Sequence, residues 1–399
     1  MAARPLVVAA LAGRLRDLDQ AEDAFADAGA AALIAWPRQA PRDPAAWLWR
    51  AALRRAIDVR RRAAVRGRAR LDPPHPEPTP EEALMAADDP IPDERLKLIF
   101  VCCHPAIAPD ARAALTLKVV CGLSTPRLAR AFFIAEPAML QRITRAKKKI
   151  AAAGVPFAVP GREAWPERLE AVLTTLEIAY AQAYEDAALA GETAGFAAEV
   201  LRLSGLLAEL MPDEPEVLGL AALVRFAEAR RPARLDDLGA MVPPPDQDTA
   251  LWRHDLIAGA AALLDRAAAL GHSGPRQILA AIHACHCARA ATGATSWPDI
   301  VALYEVLATI RPNAATAVNR AVAISEAFGA VAGLSALAGV QGMETWLPYQ
   351  AALAGLSIRA GDLDAAVAAF VAALTLGPAP AERLYLERQM RRAQGIELS

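Results

Sequence analysis

The chain has no uninterrupted apolar stretch of about 20 residues, the length a helix needs to cross a bilayer. Its first residues lack a signal-peptide cleavage pattern, so a cytoplasmic setting with no membrane partner is expected. Strand-like alternation of polar and apolar residues is also absent. Ala, Leu and Arg dominate at helical spacing, which predicts an all-α fold. Cysteine is scarce: five residues, an odd number without secretory context, read as reduced thiols rather than a disulfide framework. There is no Gly-rich phosphate loop, no His-Glu-x-x-His and no nucleophile elbow, so neither an enzyme nor a bound cofactor is expected.

What is present is an uneven distribution of charge. The formal net charge is only −2. Residues 1–70 nevertheless hold fourteen Arg against seven acids, and residues 91–157 eleven cations against four acids. Between them, residues 71–90 carry six acids and no cation, and residues 158–399 carry eighteen cations against twenty-eight acids. Two basic modules, an acidic linker and a large acidic module are the pattern expected if only the first part meets nucleic acid.

The most informative stretch is ALTLKVVCGLSTPRLARAFFIAEPAMLQRITRAKKKI, from Ala114 to Ile150. One helix ends at Gly122, Ser124-Thr125-Pro126 starts a short helix to about Phe133, and a second helix follows a break at Ile134-Ala135-Glu136. Ser124 or Thr125 can cap the first helix, and Glu136-Pro137 repeats that start for the second. This is a helix-turn-helix with a basic second helix. Leu140, Ile143, Ala146 and Ile150 are expected to face the core, leaving Gln141, Arg142, Arg145, Lys148 and Lys149 on the other side. Gln and Arg can read base edges bidentately in the major groove, whereas lysines suit phosphate. A solvated basic helix in an ordinary bundle is the alternative for the same pattern.

In the first module, Asp17–Ala35 reads as an acidic, Ala-rich helix interrupted by Gly29. A loop follows over Pro37–Asp43, and Asp43-Pro44 starts a long helix on which Arg50, Arg54, Asp58 and Arg61 share one face. Trp47 and Trp49 beside cations suit stacking on unpaired bases, and they equally suit a core. The linker's Pro73, Pro74, Pro76, Pro78 and Pro80 preclude a helix.

The segments AEDAF, DPAAWLWRAALRRAIDVRRR, DERLKLIFVCCHPAIAPDARAALTLKVVCGLSTPRLARAF and AMLQRITRAKKKI resemble bacterial RNA polymerase sigma factors of the extracytoplasmic-function type. Cys102-Cys103-His104-Pro105 and the later stretches DQDTALWRHDLI, GPRQILAAIHA and WPDIVALYEVLATIRPNAATAVNRAVAI resemble the group with a tetratricopeptide-like C-terminal extension. The resemblance implies a region 2-like domain over 1–70, a Pro-rich linker over 71–90, a region 4-like domain over 91–157 and a helical regulatory extension over 158–399. It implies core RNA polymerase and promoter DNA as partners, with a further protein possible at the repeats. The Asp17–Ala35 helix, through Glu22, Asp23 and Asp27, would dock on the polymerase clamp. The helix with Arg50, Arg54 and Arg61 would open the −10 element. Ser124, Thr125, Arg127, Gln141, Arg142, Arg145, Lys148 and Lys149 would bind the −35 element as duplex. Six positions depart from the family pattern. Ala26 and Gly29 replace a Gln and a large aromatic, Leu53-Arg54 replaces Arg-Asn, and Pro126-Arg127 replaces acids. The implied function is promoter-specific initiation. A sigma-derived DNA-binding regulator, or an interaction scaffold, that no longer supports initiation is the alternative.

The extension reads as stacked helix pairs, with Ala366, Phe370, Ala373 and Pro378 at repeat spacing and a weaker copy at Tyr304, Leu307 and Pro312. Such an array offers a concave surface to a partner, or packs onto its own N-terminal domains. Two clusters hold ligand-type residues. Cys102-Cys103-His104 reads as a buried corner. His283, Cys285, His286 and Cys287 lie close on one helix but without a second ligand pair, so no metal is expected at either.

Overall fold

The computed structural model describes residues 4–37, 40–67, 94–120, 122–132, 134–155, 157–158, 160, 162–185 and 194–396. Among these the fold is helical throughout, with no strand beyond an isolated bridge between Leu235 and Met241. No helix among them is long and apolar enough to cross a membrane. The linker residues 71–90 lie outside the described residues. The chain divides into two compact units, Met1–Gln182 and Ala183–Ser399.

In the first unit, helix α1 (Arg4–Leu15) is apolar on almost every side, and Val7, Val8, Leu11 and Ala12 are all buried. A helix apolar all round is stable only when enclosed. Here the enclosure comes from both sequence modules: α2 (Leu18–Ala35) and α3 (Pro44–Gly67) on one side, α4 (Arg95–Cys102) and α5 (Pro109–Val119) on the other. The two basic modules therefore share one wall within a single compact unit.

Asp17 caps α2 by accepting from the Gln20 amide at 3.0 Å. The helix runs unbroken through Gly29, contrary to the expected interruption. Nothing lies within 4 Å of where a Gly29 Cβ would sit. The buried stripe of Ala21, Ala24, Ala28 and Ala32 packs on both sides of it and offsets the roughly 1 kcal/mol that glycine costs a helix interior. Asp43 caps α3 through the Ala46 amide at 3.0 Å, with Pro44 in the first turn. Trp49 is buried with Leu48, Ala52, Leu53 and Ala56, a core position. Trp47 is half-buried and meets Trp36 edge-on at 5.7 Å.

Between α4 and α5 the Cys102-Cys103-His104-Pro105 segment forms a corner. Both cysteines are buried, and Cys103 Sγ lies 3.5 Å from the Thr116 hydroxyl. His104 Nδ1 accepts from the Ala106 amide, and Arg112 donates to the Ile107 and Pro105 carbonyls at 2.7 and 2.9 Å. Helix α8 (Trp165–Glu185) closes over it, with Arg168 donating to the Phe100 carbonyl. Burial pushes the Cys103 thiol pKa up, so this sulfur is not a thiolate poised for redox chemistry.

Gly122, at φ +74, turns the chain after α5, and the Leu123 amide reaches back to the Leu117 carbonyl at 3.1 Å. That six-residue closure needs a left-handed residue, which glycine supplies without strain. Helix α6 (Thr125–Ala131) follows, with the Ser124 carbonyl accepting from the Leu128 amide. Helix α7 (Glu136–Ala152) packs against α5 and α6.

Two expectations change here. The start of α7 is not capped by Glu136: Ala135 is the cap residue with no side-chain bond, and Glu136-Pro137 occupies the first turn. The core-facing residues are Met139, Ile143, Ala146 and Ile150, while Leu140 is 55% exposed. Positions 139 and 140 lie four and three residues before Ile143, so both satisfy helical spacing. Packing against α5 and α6 selects the methionine.

In the second unit, α10 (Pro215–Ala229) is buried from Val217 to Ala229 on nearly every side. It is surrounded by α9 (Ala194–Leu210), α11 (His254–Ala269) and α12 (Pro275–Thr292). Helices α13 (Trp297–Ile310), α14 (Ala314–Phe328), α15 (Ala330–Ala338), α16 (Leu347–Ala360), α17 (Leu363–Thr375) and α18 (Pro380–Ala393) follow, packed mainly on their neighbours in sequence. Ala366, Phe370 and Ala373 are buried in one cluster with Ala354 and Leu386, and Pro378 is buried too, whereas Pro312 is exposed. The array turns back on itself at its end: Arg388 of α18 pairs with Asp236 at 2.5 Å, and the Met241 amide donates to the Ala381 carbonyl at 3.0 Å.

Candidate nucleic-acid interface

On α7, Gln141, Arg145, Lys148 and Lys149 are exposed and Arg142 is half-buried, on the side away from Met139, Ile143, Ala146 and Ile150. The amphipathic division is sharp because the buried residues recur at intervals of four, three and four. Ser124 is exposed and Thr125 half-buried at the start of α6. Arg127 lies in α6, but its side chain is outside the described residues. The geometry offers a two-helix motif whose longer helix presents amide and guanidinium donors along one face.

On α3, Arg54 and Arg61 are exposed and Arg50 is half-buried. Two other arginines of this helix, both exposed, are engaged within the unit. Arg60 donates to the Leu15 carbonyl at 2.6 Å and to Gln20 at 3.1 Å, and Arg55 pairs with Asp27 at 2.8 Å. Asp23 and Asp27 of α2 are exposed.

Glu22 is placed differently. Its side chain is 14% exposed and is held by Arg4 at 2.6 Å and by Lys147 of α7 at 2.5 Å. Lys147 also bonds Asp19 at 2.7 Å, and Arg4 donates to the Lys118 carbonyl. Burial opposes the charge on Lys147, yet the Glu22 and Asp19 carboxylates raise its pKa overall. Lys118 is shifted down, by burial first and then by its neighbours Arg4 and Lys147, with Glu22 opposing. The structure thus brings together one candidate polymerase-binding acid and helix α7. Sequence reasoning passed over Lys147, Asp19 and Arg4, because a pair 125 residues apart leaves no local signal.

The His283–Cys287 cluster sits on α12. His286 meets Trp297 edge-on at 5.3 Å, and Cys287 Sγ lies 3.9 Å from the Phe226 carbonyl oxygen. Burial holds the His286 pKa down to about 4, and Arg230 and Arg289 add to the shift. Burial likewise pushes His283 well below its ordinary value and Cys287 up to about 11. The folded histidine value lies below the unfolded one. Its stability contribution is therefore complete above about pH 6.5 and is lost as pH falls through about 4. Thermal unfolding from pH 7.5 to 4 should show a steep decline for the second unit, and His286→Gln should flatten it. Equal slopes in the two proteins would reject this account.

Comparison with known proteins gives three findings. Residues 168–268 match a family described as a family of unknown function, DUF6596. The chain is 38% identical over 405 residues to a protein of Rhizobium meliloti (strain 1021) described as uncharacterized protein R00370, covering 98% of this chain and 94% of the relative. No solved structure matches the chain.

Proposed function

We propose, for a chain that belongs to the same protein family as R00370 of Rhizobium meliloti, that it is an alternative sigma factor: it binds core RNA polymerase and directs initiation at a limited promoter set in the cytoplasm. The observation that carries this reading is the outward row of Gln141, Arg142, Arg145, Lys148 and Lys149 on α7, backed by a closed core. A helix of this length and charge fits the B-DNA major groove, and its donors match the acceptor edges of guanine and adenine. In this reading α2 meets polymerase and α3, through Arg50, Arg54 and Arg61, meets the opened −10 strand. The second unit is a tetratricopeptide-like regulatory array.

One observation favours a second reading, a DNA-binding regulator that does not initiate. Glu22, one of the acids assigned to polymerase, is already held between Arg4 and Lys147. In vitro transcription with purified core polymerase, the full-length protein and candidate promoters separates the two. Protein-dependent transcripts from defined start sites are the expected result. Sequence-specific DNA binding with neither transcripts nor core association would establish the regulator instead.

A further inference from the structure

The buried row of α7 leaves Leu140 outside. Met139 takes the core position, and Leu140 stands 55% exposed in the second turn. A lone exposed leucine is ordinary on a protein surface. Its neighbour makes this one different. Thr144, one turn on and on the same side of the helix, is exposed too, and its Oγ1 donates to the Leu140 carbonyl at 2.8 Å. A hydroxyl that donates back to its own helix has no proton left for a base. What Thr144 then offers outward is chiefly its methyl group. Leucine and threonine four residues apart thus form a small apolar strip.

The strip begins in the part of α7 that has no cation. From Glu136 to Gln141 there is none, and Arg142, Arg145, Lys147, Lys148 and Lys149 all follow. In a helix-turn-helix the N-terminal residues of the second helix are those that meet base edges. Side chains without charge add nothing against phosphate, so their contribution there is to base readout. Apolar groups recognise one feature of the major groove, the C5 methyl of thymine. Gln141, exposed beside Leu140, suits the N6 and N7 edge of adenine. Thymine and its paired adenine show both features in the same groove.

We propose that Leu140 and Thr144 are specificity-determining residues that read a thymine methyl in the duplex site. This rests on the reading of α7 as a DNA-binding helix. It adds a preference that the arginines and lysines of the same helix do not supply.

The test uses the full-length protein and the tightest-binding duplex it recovers from a random-sequence DNA pool. Each thymine is replaced in turn by deoxyuridine, which removes only the C5 methyl, and binding is followed by fluorescence anisotropy. At one position or more, wild type should bind the uracil duplex about fourfold more weakly, the effect of one buried methyl group. Leu140→Ala combined with Thr144→Ser should bind the two duplexes alike. Both residues lie outside the buried row, so this variant keeps the fold, and a ratio of affinities is not mimicked by a general loss of binding. Thr144→Val, which keeps a methyl and drops the hydroxyl, should retain the preference. Selective binding in which no thymine methyl matters, or a double variant that keeps the full preference, overturns this proposal alone. A pool that yields no selective duplex overturns the DNA-binding reading and this proposal with it.

Discussion

Under the proposed function, replacing Arg142 and Arg145 together by alanine should weaken sequence-specific binding to duplex promoter DNA by about a hundredfold or more. A bidentate arginine–guanine contact contributes about 1–3 kcal/mol of discrimination, and two such contacts are lost. The change leaves the fold intact, because neither residue belongs to the buried row of Met139, Ile143, Ala146 and Ile150. Far-UV circular dichroism should therefore match wild type while fluorescence anisotropy loses the specific complex. Lys148→Ala with Lys149→Ala has a different signature. Affinity falls for all sequences alike, and the slope of log K against log salt decreases by about two. Unchanged DNA affinity in the arginine double variant would leave α7 as an ordinary solvated helix and remove the observation on which the proposed function stands.

The largest stability effect is expected at Phe370. Its ring is 2% exposed and packed among Ala354, Ala366, Ala369, Ala373 and Leu386. Four of these five buried residues are alanines, whose Cβ atoms are fixed by the helix backbone, with Leu353, Ile358, Leu374, Tyr385 and Met390 packed against the cluster. Phe370→Ala should cost about 3–5 kcal/mol, the range for such truncations of a buried ring. Val371, the next residue, is 50% exposed, and Val371→Ala should stay within about 0.5 kcal/mol. Urea unfolding of the full-length chain reads both. A loss below about 1 kcal/mol at Phe370 would mean that the α16–α18 packing is looser than its burial indicates.

Much of the local structure was legible in the residues. The Asp43 cap and the α3 start, the turn at Gly122, the bounds of the two-helix motif and the outward cations of α7 all follow from capping chemistry, left-handed glycine and a 3.6-residue period. The choice between Met139 and Leu140 was not, since both positions satisfy that period and only the facing helices discriminate. Gly29 was misleading because its propensity cost is local, while the packing of Ala28 and Ala32 that overrides it is tertiary. Helix α1 was passed over, although its apolar residues on every face are the mark of an enclosed helix. The contact that matters most to the candidate interface, Glu22 with Lys147, joins residues far apart in the chain, and no window of sequence contains both partners.

The position of Lys147 has one more consequence. Its ammonium group bridges Asp19 and Glu22, yet it belongs to the helix that the proposed function lays against DNA. One ammonium group cannot neutralise a phosphate and those two carboxylates at the same time. Any ligand that draws Lys147 away leaves Glu22 with Arg4 as its remaining cation, and any ligand that captures Glu22 or Asp19 releases Lys147. Occupancy at the two surfaces is then thermodynamically linked, and the coupling must be equal in both directions. If α2 is where polymerase docks, polymerase would raise DNA affinity by the same factor by which DNA raises polymerase affinity. Lys147→Ala would abolish that factor without removing either surface.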